Sequence, residues 1–186
     1  MGYVLGIDEV GRGAWAGPLV IGAVILGEPI PGLKDSKMLT ARRRQKFAQE
    51  ILEKAVFAGL GWAEPKEIDD YGLSTAHMLA CMRAVRNAPR CSQIIIDGNI
   101  NYLPGYENAI CKVKADQTVP QVSAASIVAK VARDKYMSEQ ALIHKNYGFD
   151  RHVGYGTKLH IESLKKQGLC VLHRKSYKPI VCYGVV

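Results

Sequence analysis

Four carboxylates are spaced so that a divalent cation could be held between them. Asp8 and Glu9 follow the apolar residues Tyr3, Val4, Leu5 and Ile7. Asp97 follows Ile94, Ile95 and Ile96, and Asp116 comes just after the short apolar run at residues 110–113. Each run reads as a strand, so three strands deliver acids at or near their ends. In an open α/β sheet the strand ends lie together and sites form there. Acids brought together repel one another unless something neutralises them. Mg²⁺ and similar hard cations choose carboxylate oxygen and keep several waters, so a few acids from different elements are enough. Two such ions roughly 3.5–4 Å apart can clamp a phosphodiester for in-line displacement.

The Asp8-Glu9 pair poses a geometric question. Successive strand residues face opposite sides, so a straight strand cannot aim both carboxylates at one point. Either the strand ends or bends there, or one residue contributes through its backbone. An isolated Asp-Glu pair is often a solvated turn; here apolar sequence presses on both sides of it.

The elements that must position these acids can be read in order. Residues 18–26 (PLVIGAVIL) are rich in β-branched residues and form a hairpin partner for the first strand. A Pro- and Gly-bearing loop with Asp35-Ser36-Lys37 follows. Thr40 caps a helix whose buried stripe is Phe47, Ala48, Ile51, Leu52 and Ala55. Arg42, Arg43 and Arg44 crowd its first turn, where the macrodipole disfavours cations by about 0.3–1 kcal/mol each; phosphate contact or plain solvation offsets this. Residues 55–63 read as a strand, 66–71 as a helical turn, and 74–87 as a helix with Met78, Leu79, Met82 and Val85 inward. Pro120 suits the first turn of a long helix through Ser123 to about His144. Residues 147–156 read as a loop, 158–167 as a last helix stopped by Gly168, and the tail as irregular. No repeat or linker interrupts this, which predicts one α/β domain over residues 1–186, a mixed sheet flanked by helices with a helical C-terminal segment.

The chain has 186 residues, a formal charge of +8 and a pI near 9.3. The excess is concentrated: residues 151–186 hold seven basic residues against Glu162 alone, a net +6. A polyanionic partner fits that distribution, and a solvated basic face is the plainer account. Five scattered cysteines with no Cys-x-x-Cys spacing argue against a disulfide framework or structural zinc and for a reducing, cytoplasmic setting. The longest apolar run, residues 19–26, is too short to span a bilayer, and a basic signal region is absent from the N-terminus.

Taken together, the motifs resemble the ribonuclease HII family of the ribonuclease H-like superfamily. They are G-I-D-E-V-G-R-G at 6–13, A-G-P at 16–18, D-S-K at 35–37 and I-I-I-D-G at 94–98. K-A-D at 114–116, S-A-A-S-I-V-A-K-V-A-R-D at 123–134, G-Y-G-T at 154–157 and H-R-K-S-Y at 173–177 complete the set. Each alone is weak; in this order over nearly the whole chain they are specific. The one mild departure is Tyr177, where the family more often has Phe.

The resemblance implies a metal-dependent endoribonuclease that cuts RNA within RNA–DNA hybrids and lone ribonucleotides in duplex DNA. Its four acidic ligands for Mg²⁺ or Mn²⁺ fall on Asp8, Glu9, Asp97 and Asp116. Gly11, Arg12 and Gly13 match the turn whose backbone reads the 2′-OH, the group that tells RNA from DNA. Tyr155 matches the tyrosine that packs on the sugar at an RNA–DNA junction. Lys37 lies near the scissile phosphate, and the helix carrying Ser123 contacts the nucleic-acid backbone. The segment from about residue 147 contributes to substrate binding, and a monomer is expected.

Several residues keep plainer readings beside these. Asp134 is a fifth acid near the site or a helical salt-bridge partner. His160 and His173 shuttle protons, or they cap and pack. Ribonuclease HIII would carry an N-terminal substrate-binding domain ahead of the strand that begins here at about Tyr3. A silent hybrid-binding module would lack a ligand acid, and a small-molecule phosphatase would have no use for the basic segment.

Overall fold

Described in this computed structural model are residues 2–33 and 39–183. Its centre is a pair of parallel strands, β1 (Tyr3–Val10) and β4 (Cys91–Asp97), in register from Val4–Gln93 to Ile7–Ile96. The antiparallel strands β2 (Leu19–Leu26) and β3 (Ala55–Ala63) extend the sheet on one side. β5 (Ala109–Lys112) lies parallel to β4 on the other, giving the order β3-β2-β1-β4-β5. The mixed sheet expected from the sequence is present, and β1 runs unbroken through Asp8 and Glu9.

Helices cover both faces. On one, Leu5 and Ile7 of β1 and Ile94 and Ile96 of β4 pack with α3 (Leu73–Val85), with α2 (Pro65–Tyr71) alongside. On the other, Gly6 and Ile95 meet the first turn of α4 (Pro120–Ile143). There α1 (Ala41–Lys54) joins α4 through Ala48, Ile51, Ala124, Ala125, Ile127 and Val128. Thr40 caps α1 as expected, its hydroxyl accepting from the Arg43 amide. No helix among the described residues is long and apolar enough to cross a membrane.

Two helix faces differ from the expectation. Leu52 is exposed rather than part of the α1 stripe. On α3 the buried face is Ala76, His77, Ala80, Cys81, Ala84 and Val85, while Met82 is exposed. The reason is proximity. A side chain at Gly61 of β3 would strike the Ala80 carbonyl, and one at Gly59 the Ala84 carbonyl. A helix lying that close to a strand admits only small residues between them.

The C-terminal part is folded onto the mouth of the sheet. The loop expected at 147–156 contains a short helix, α5 (Phe149–His152), followed by α6 (Lys158–Gln167), capped by Thr157. The tail contains a further turn of helix, α7 (Lys178–Val181), and His173 bridges back to Ala16.

Candidate active site

Asp8 and Asp97 each lie one residue past the Ile7–Ile96 pairing, at the same end of adjacent strands. Strand alternation puts both on the α4 face, where Ser126 of α4 stands beside Asp8 and favours its charged form. Glu9, next along β1, faces the other way by the same alternation, yet it lines the same opening. That opening is a cleft of about 450 Å³ bordered by Asp8, Glu9, Asp97 and Ser126, with Arg44 of α1 and Lys130 of α4 on its rim. The strand therefore neither ends nor bends at the Asp-Glu pair, because the cleft lies across the strand ends and meets both faces of the sheet.

Asp8 is 6% exposed. Burial pushes its carboxyl up to about 7, the nearby Glu9 and Asp97 add to the rise, and Ser126 and the Glu9 amide partly oppose it. The Glu9 amide donates to Asp8 Oδ1 at 2.8 Å. Asp97 is fixed from the other side: the Ala115 amide donates to its Oδ1 at 2.7 Å. Ala115 opens the 3₁₀ turn Ala115–Gln117, reached through Lys114 at φ 57°, and this turn carries Asp116. Asp116 is buried beside the start of α4 and does not line the cleft wall. Among the described residues no three acid, histidine or cysteine side chains form a ready-made cage for an ion.

Beyond β1 the chain makes the Gly11-Arg12-Gly13 turn. Gly11 has φ +84°, and a Cβ there would run into the Arg133 guanidinium, so position and conformation both demand glycine. Two buried arginines gather the carbonyls of this segment. Arg133 donates to Pro18 O at 2.8 Å, Ala16 O at 3.1 Å and Val153 O at 2.8 Å. Arg174 donates twice to Gly17 O, at 2.9 and 2.8 Å, and to Arg12 O at 3.0 Å. Among the described residues neither guanidinium has a carboxylate in hydrogen-bond contact, and burial pushes Arg133 down to about 10. The sequence departure at Tyr177 belongs to this network. Its hydroxyl donates to Arg12 O at 2.6 Å and accepts from Arg174 at 2.8 Å, two bonds a phenylalanine cannot make.

Tyr155 lies in the segment stapled to that turn. The Trp15 and Ala16 amides both donate to Gly154 O, at 2.8 and 3.2 Å. The Tyr155 ring is exposed on one side, with the Arg133 guanidinium 5.6 Å from its centroid. Ser123 is placed differently from the expectation: it is fully buried and its hydroxyl donates to Leu33 O. Ser126, nearly one helical turn on, is the serine that faces the acids. Lys37 lies outside the described residues. Asp134 pairs with Lys130 at 2.6 Å, the helical salt bridge of the plainer reading. The sequence reading also missed Arg133 and Arg174; buried arginines carry no local signal, since most of the carbonyls they bind lie over a hundred residues away.

The fold and these motifs have counterparts in known proteins. The family model described as Ribonuclease HII matches residues 5–180. A ribonuclease HII from Sulfurovum sp. (strain NBC37-1) is 45% identical over 173 residues, covering 93% of this chain and 90% of that protein. One from Polynucleobacter asymbioticus is 47% identical over 186 residues, covering 96% and 94%. Among solved structures, the ribonuclease H2 from Pyrococcus horikoshii OT3 superposes with a TM-score of 0.83 at 26% identity, over 98% of this chain and 97% of that one. Bst-RNase HIII, solved in complex with Mn²⁺, superposes with a TM-score of 0.74 over 96% of this chain and 68% of that one; at 20% identity the likeness is one of fold. With the model matched from β1 to the end of the tail motif, and relatives this similar along almost their full length, the chain belongs to the ribonuclease HII family of ribonuclease H-type hydrolases.

Proposed function

We propose that the protein is a metal-dependent endoribonuclease that hydrolyses the RNA strand of RNA–DNA hybrids. On this reading it also cuts 5′ of ribonucleotides embedded in duplex DNA, leaving 3′-hydroxyl and 5′-phosphate ends. The observation that carries this is the pairing of Asp8 with Asp97 at the open end of the two central strands, beside Glu9, in a chain of this family.

The donor set fits the metal. All four acids offer hard oxygen, and the burial that, with Glu9 and Asp97 beside it, pushes Asp8 up to about 7 is a cost a bound cation would offset. Mg²⁺ needs only one or two carboxylates when waters and substrate phosphate complete its shell, which suits acids that line a cleft without closing a cage. Asp8, Glu9, Asp97 and Asp116 would hold Mg²⁺ or Mn²⁺, two ions with substrate present. When bound, these ions supply an activated water nucleophile and neutralise charge at the scissile phosphate.

The protein's own residues do the rest. The Gly11-Arg12-Gly13 turn, its Arg12 carbonyl held from behind by Arg174 and Tyr177 and its Gly11 backed by Arg133, leaves its outer side for the ribose 2′-hydroxyl. Tyr155 packs on the next sugar, where a deoxyribose fits and a further hydroxyl would crowd the ring. Lys37 and the helix that carries Ser123 attend the phosphate backbone, with Ser126 as the helix residue at the acids. The segment from about residue 147 binds substrate, so residues 1–186 act as one catalytic unit. We assign the enzyme to the cytoplasm, as a monomer, in ribonucleotide excision repair and DNA replication; free cysteines among the described residues suit that compartment.

The test is a gel assay on duplex DNA carrying one ribonucleotide, with and without Mg²⁺ or Mn²⁺. Cleavage on the 5′ side of the ribonucleotide, only with metal, is expected. Metal-independent cleavage, or cutting of all-DNA duplex at the same rate, would overturn the reading.

A further inference from the structure

Behind Tyr155 lies a cluster of buried imidazoles. His160 and His173 are both essentially unexposed, and their Nε2 atoms face each other at 3.1 Å. His152 stacks on His160 with ring centroids 4.4 Å apart. Phe149, Tyr147 and Trp15 pack around them.

The partners of each nitrogen fix the tautomers. Tyr155 O can only accept, so His160 Nδ1, 3.0 Å away, carries a hydrogen. A neutral His160 therefore has a bare Nε2, and His173 must donate to it from Nε2–H. His173 Nδ1 is then bare, and the Cys170 amide donates to it at 2.9 Å. The competing contact, His173 Nδ1 to Cys170 O at 3.3 Å, needs a hydrogen on Nδ1. The two facing Nε2 atoms would then both be bare unless one ring were charged, and burial opposes that charge, pushing both rings down to about 4. One arrangement satisfies every atom: Cys170 amide to His173, His173 to His160, His160 to the Tyr155 carbonyl.

We infer that His160 and His173 are positioning residues for Tyr155, acting as a directed hydrogen-bond relay that fixes its carbonyl and so sets the enzyme's preference for an RNA–DNA junction. The Tyr155 amide is held by His152 O at 2.9 Å, and its carbonyl also accepts from the Thr157 amide at 2.8 Å. His160 supplies the side-chain tie, the one that links the tyrosine to the packed interior of the C-terminal segment. The inference rests on the junction-reading role proposed for Tyr155.

The test separates the two nitrogens of His160. Asparagine places an amide nitrogen where Nδ1 stands and can still donate to Tyr155 O. Glutamine reaches the Nε2 position, can still accept from His173, and leaves the Tyr155 carbonyl without its side-chain donor. The measured quantity is kcat/KM on a duplex with one ribonucleotide, divided by kcat/KM on a long hybrid, for wild type, Tyr155→Ala, His160→Asn and His160→Gln. Tyr155→Ala and His160→Gln should lower the ratio, the latter roughly three- to tenfold, as one hydrogen bond is worth; His160→Asn should stay near wild type. If Tyr155→Ala lowers the ratio while the Asn and Gln variants match each other, the inference falls and the tyrosine reading stands. If Tyr155→Ala leaves the ratio unchanged, both fall.

A second measurement needs no variant to fold. Long-range ¹H–¹⁵N correlation on the wild-type protein at neutral pH should show one buried ring protonated at Nδ1 alone and its partner at Nε2 alone. A charged ring in the pair, or both rings in one tautomer, would overturn the relay.

Discussion

Asp8 and Asp97 stand side by side across the junction of β1 and β4, each one step beyond the last pair of apolar residues the two strands share. One is tied to the Glu9 amide and the other to the Ala115 amide, so neither carboxylate is free to swing away from its neighbour. Such a pair is costly to keep charged and ready to bind a cation.

Asp97→Asn should therefore fold, since the amide oxygen can still accept from Ala115, and should bind hybrid but lose nearly all cleavage. Without divalent cations it should melt higher than wild type, because one of two facing charges is gone. The rise in melting temperature on adding Mn²⁺ should shrink. Calorimetry with and without metal, beside a cleavage assay, checks all three; full turnover at saturating Mg²⁺ would remove Asp97 from the ligand set.

The exposed lysines of the C-terminal segment should add affinity without altering chemistry. Arg174 is buried and committed to carbonyls, so the test belongs on Lys165, Lys166 and Lys175. Changing all three to Ala should flatten the dependence of log Kd on log salt by roughly 0.9 for each phosphate that is no longer neutralised. Binding titrations over a range of salt read this directly, and an unaltered slope would make the segment a solvated face.

Gly61→Ala should destabilise the fold by about 1–3 kcal/mol, because the added methyl meets the Ala80 carbonyl of α3 and helix and strand must part. Gly105→Ala, where a Cβ meets open space, should stay within about 0.5 kcal/mol of wild type. Urea unfolding of both variants makes the comparison.

Acid should unfold the protein partly through its histidines. Rings held near 4 in the fold and free to titrate near 6.5 when unfolded let the unfolded chain take up protons that the folded one refuses. Stability is thus complete above about 6.5 and falls as pH drops toward 4, by on the order of a few kcal/mol for the pair. His160→Asn removes one of the two groups, so its melting temperature should fall less steeply with pH across that window.

The sheet and its acids were legible because their signals are local. An apolar run ending in Asp reads as a strand end without knowledge of its neighbours, and three such runs suffice to suggest a site. What escaped depends on distance in space. Whether Ser123 or Ser126 faces the acids depends on how α4 rolls against β1, which the run of small residues from Ser123 to Ser126 does not encode. The inward face of α3 was misread because Met and Leu outweigh Ala by hydrophobicity, whereas the glycines opposite select by size. Tyr177 looked like a neutral departure from family habit, since only the fold brings the Arg12 carbonyl to its hydroxyl.

Arg174 lies 157 positions after Gly17 and 162 after Arg12, the residues whose carbonyls it holds. At synthesis rates of about 5–20 residues per second, roughly 8–30 s separate the making of the turn from the making of its clasp. Once β4 has been made, β1 and β4 can pair and bring Asp8 and Asp97 together, while the Arg12 carbonyl still lacks both of its donors, Arg174 and the Tyr177 hydroxyl. A chain that stops short of Arg174 thus carries the acids without the donors that hold the Arg12 carbonyl, and the turn beside the acids is completed only by residues made long after it.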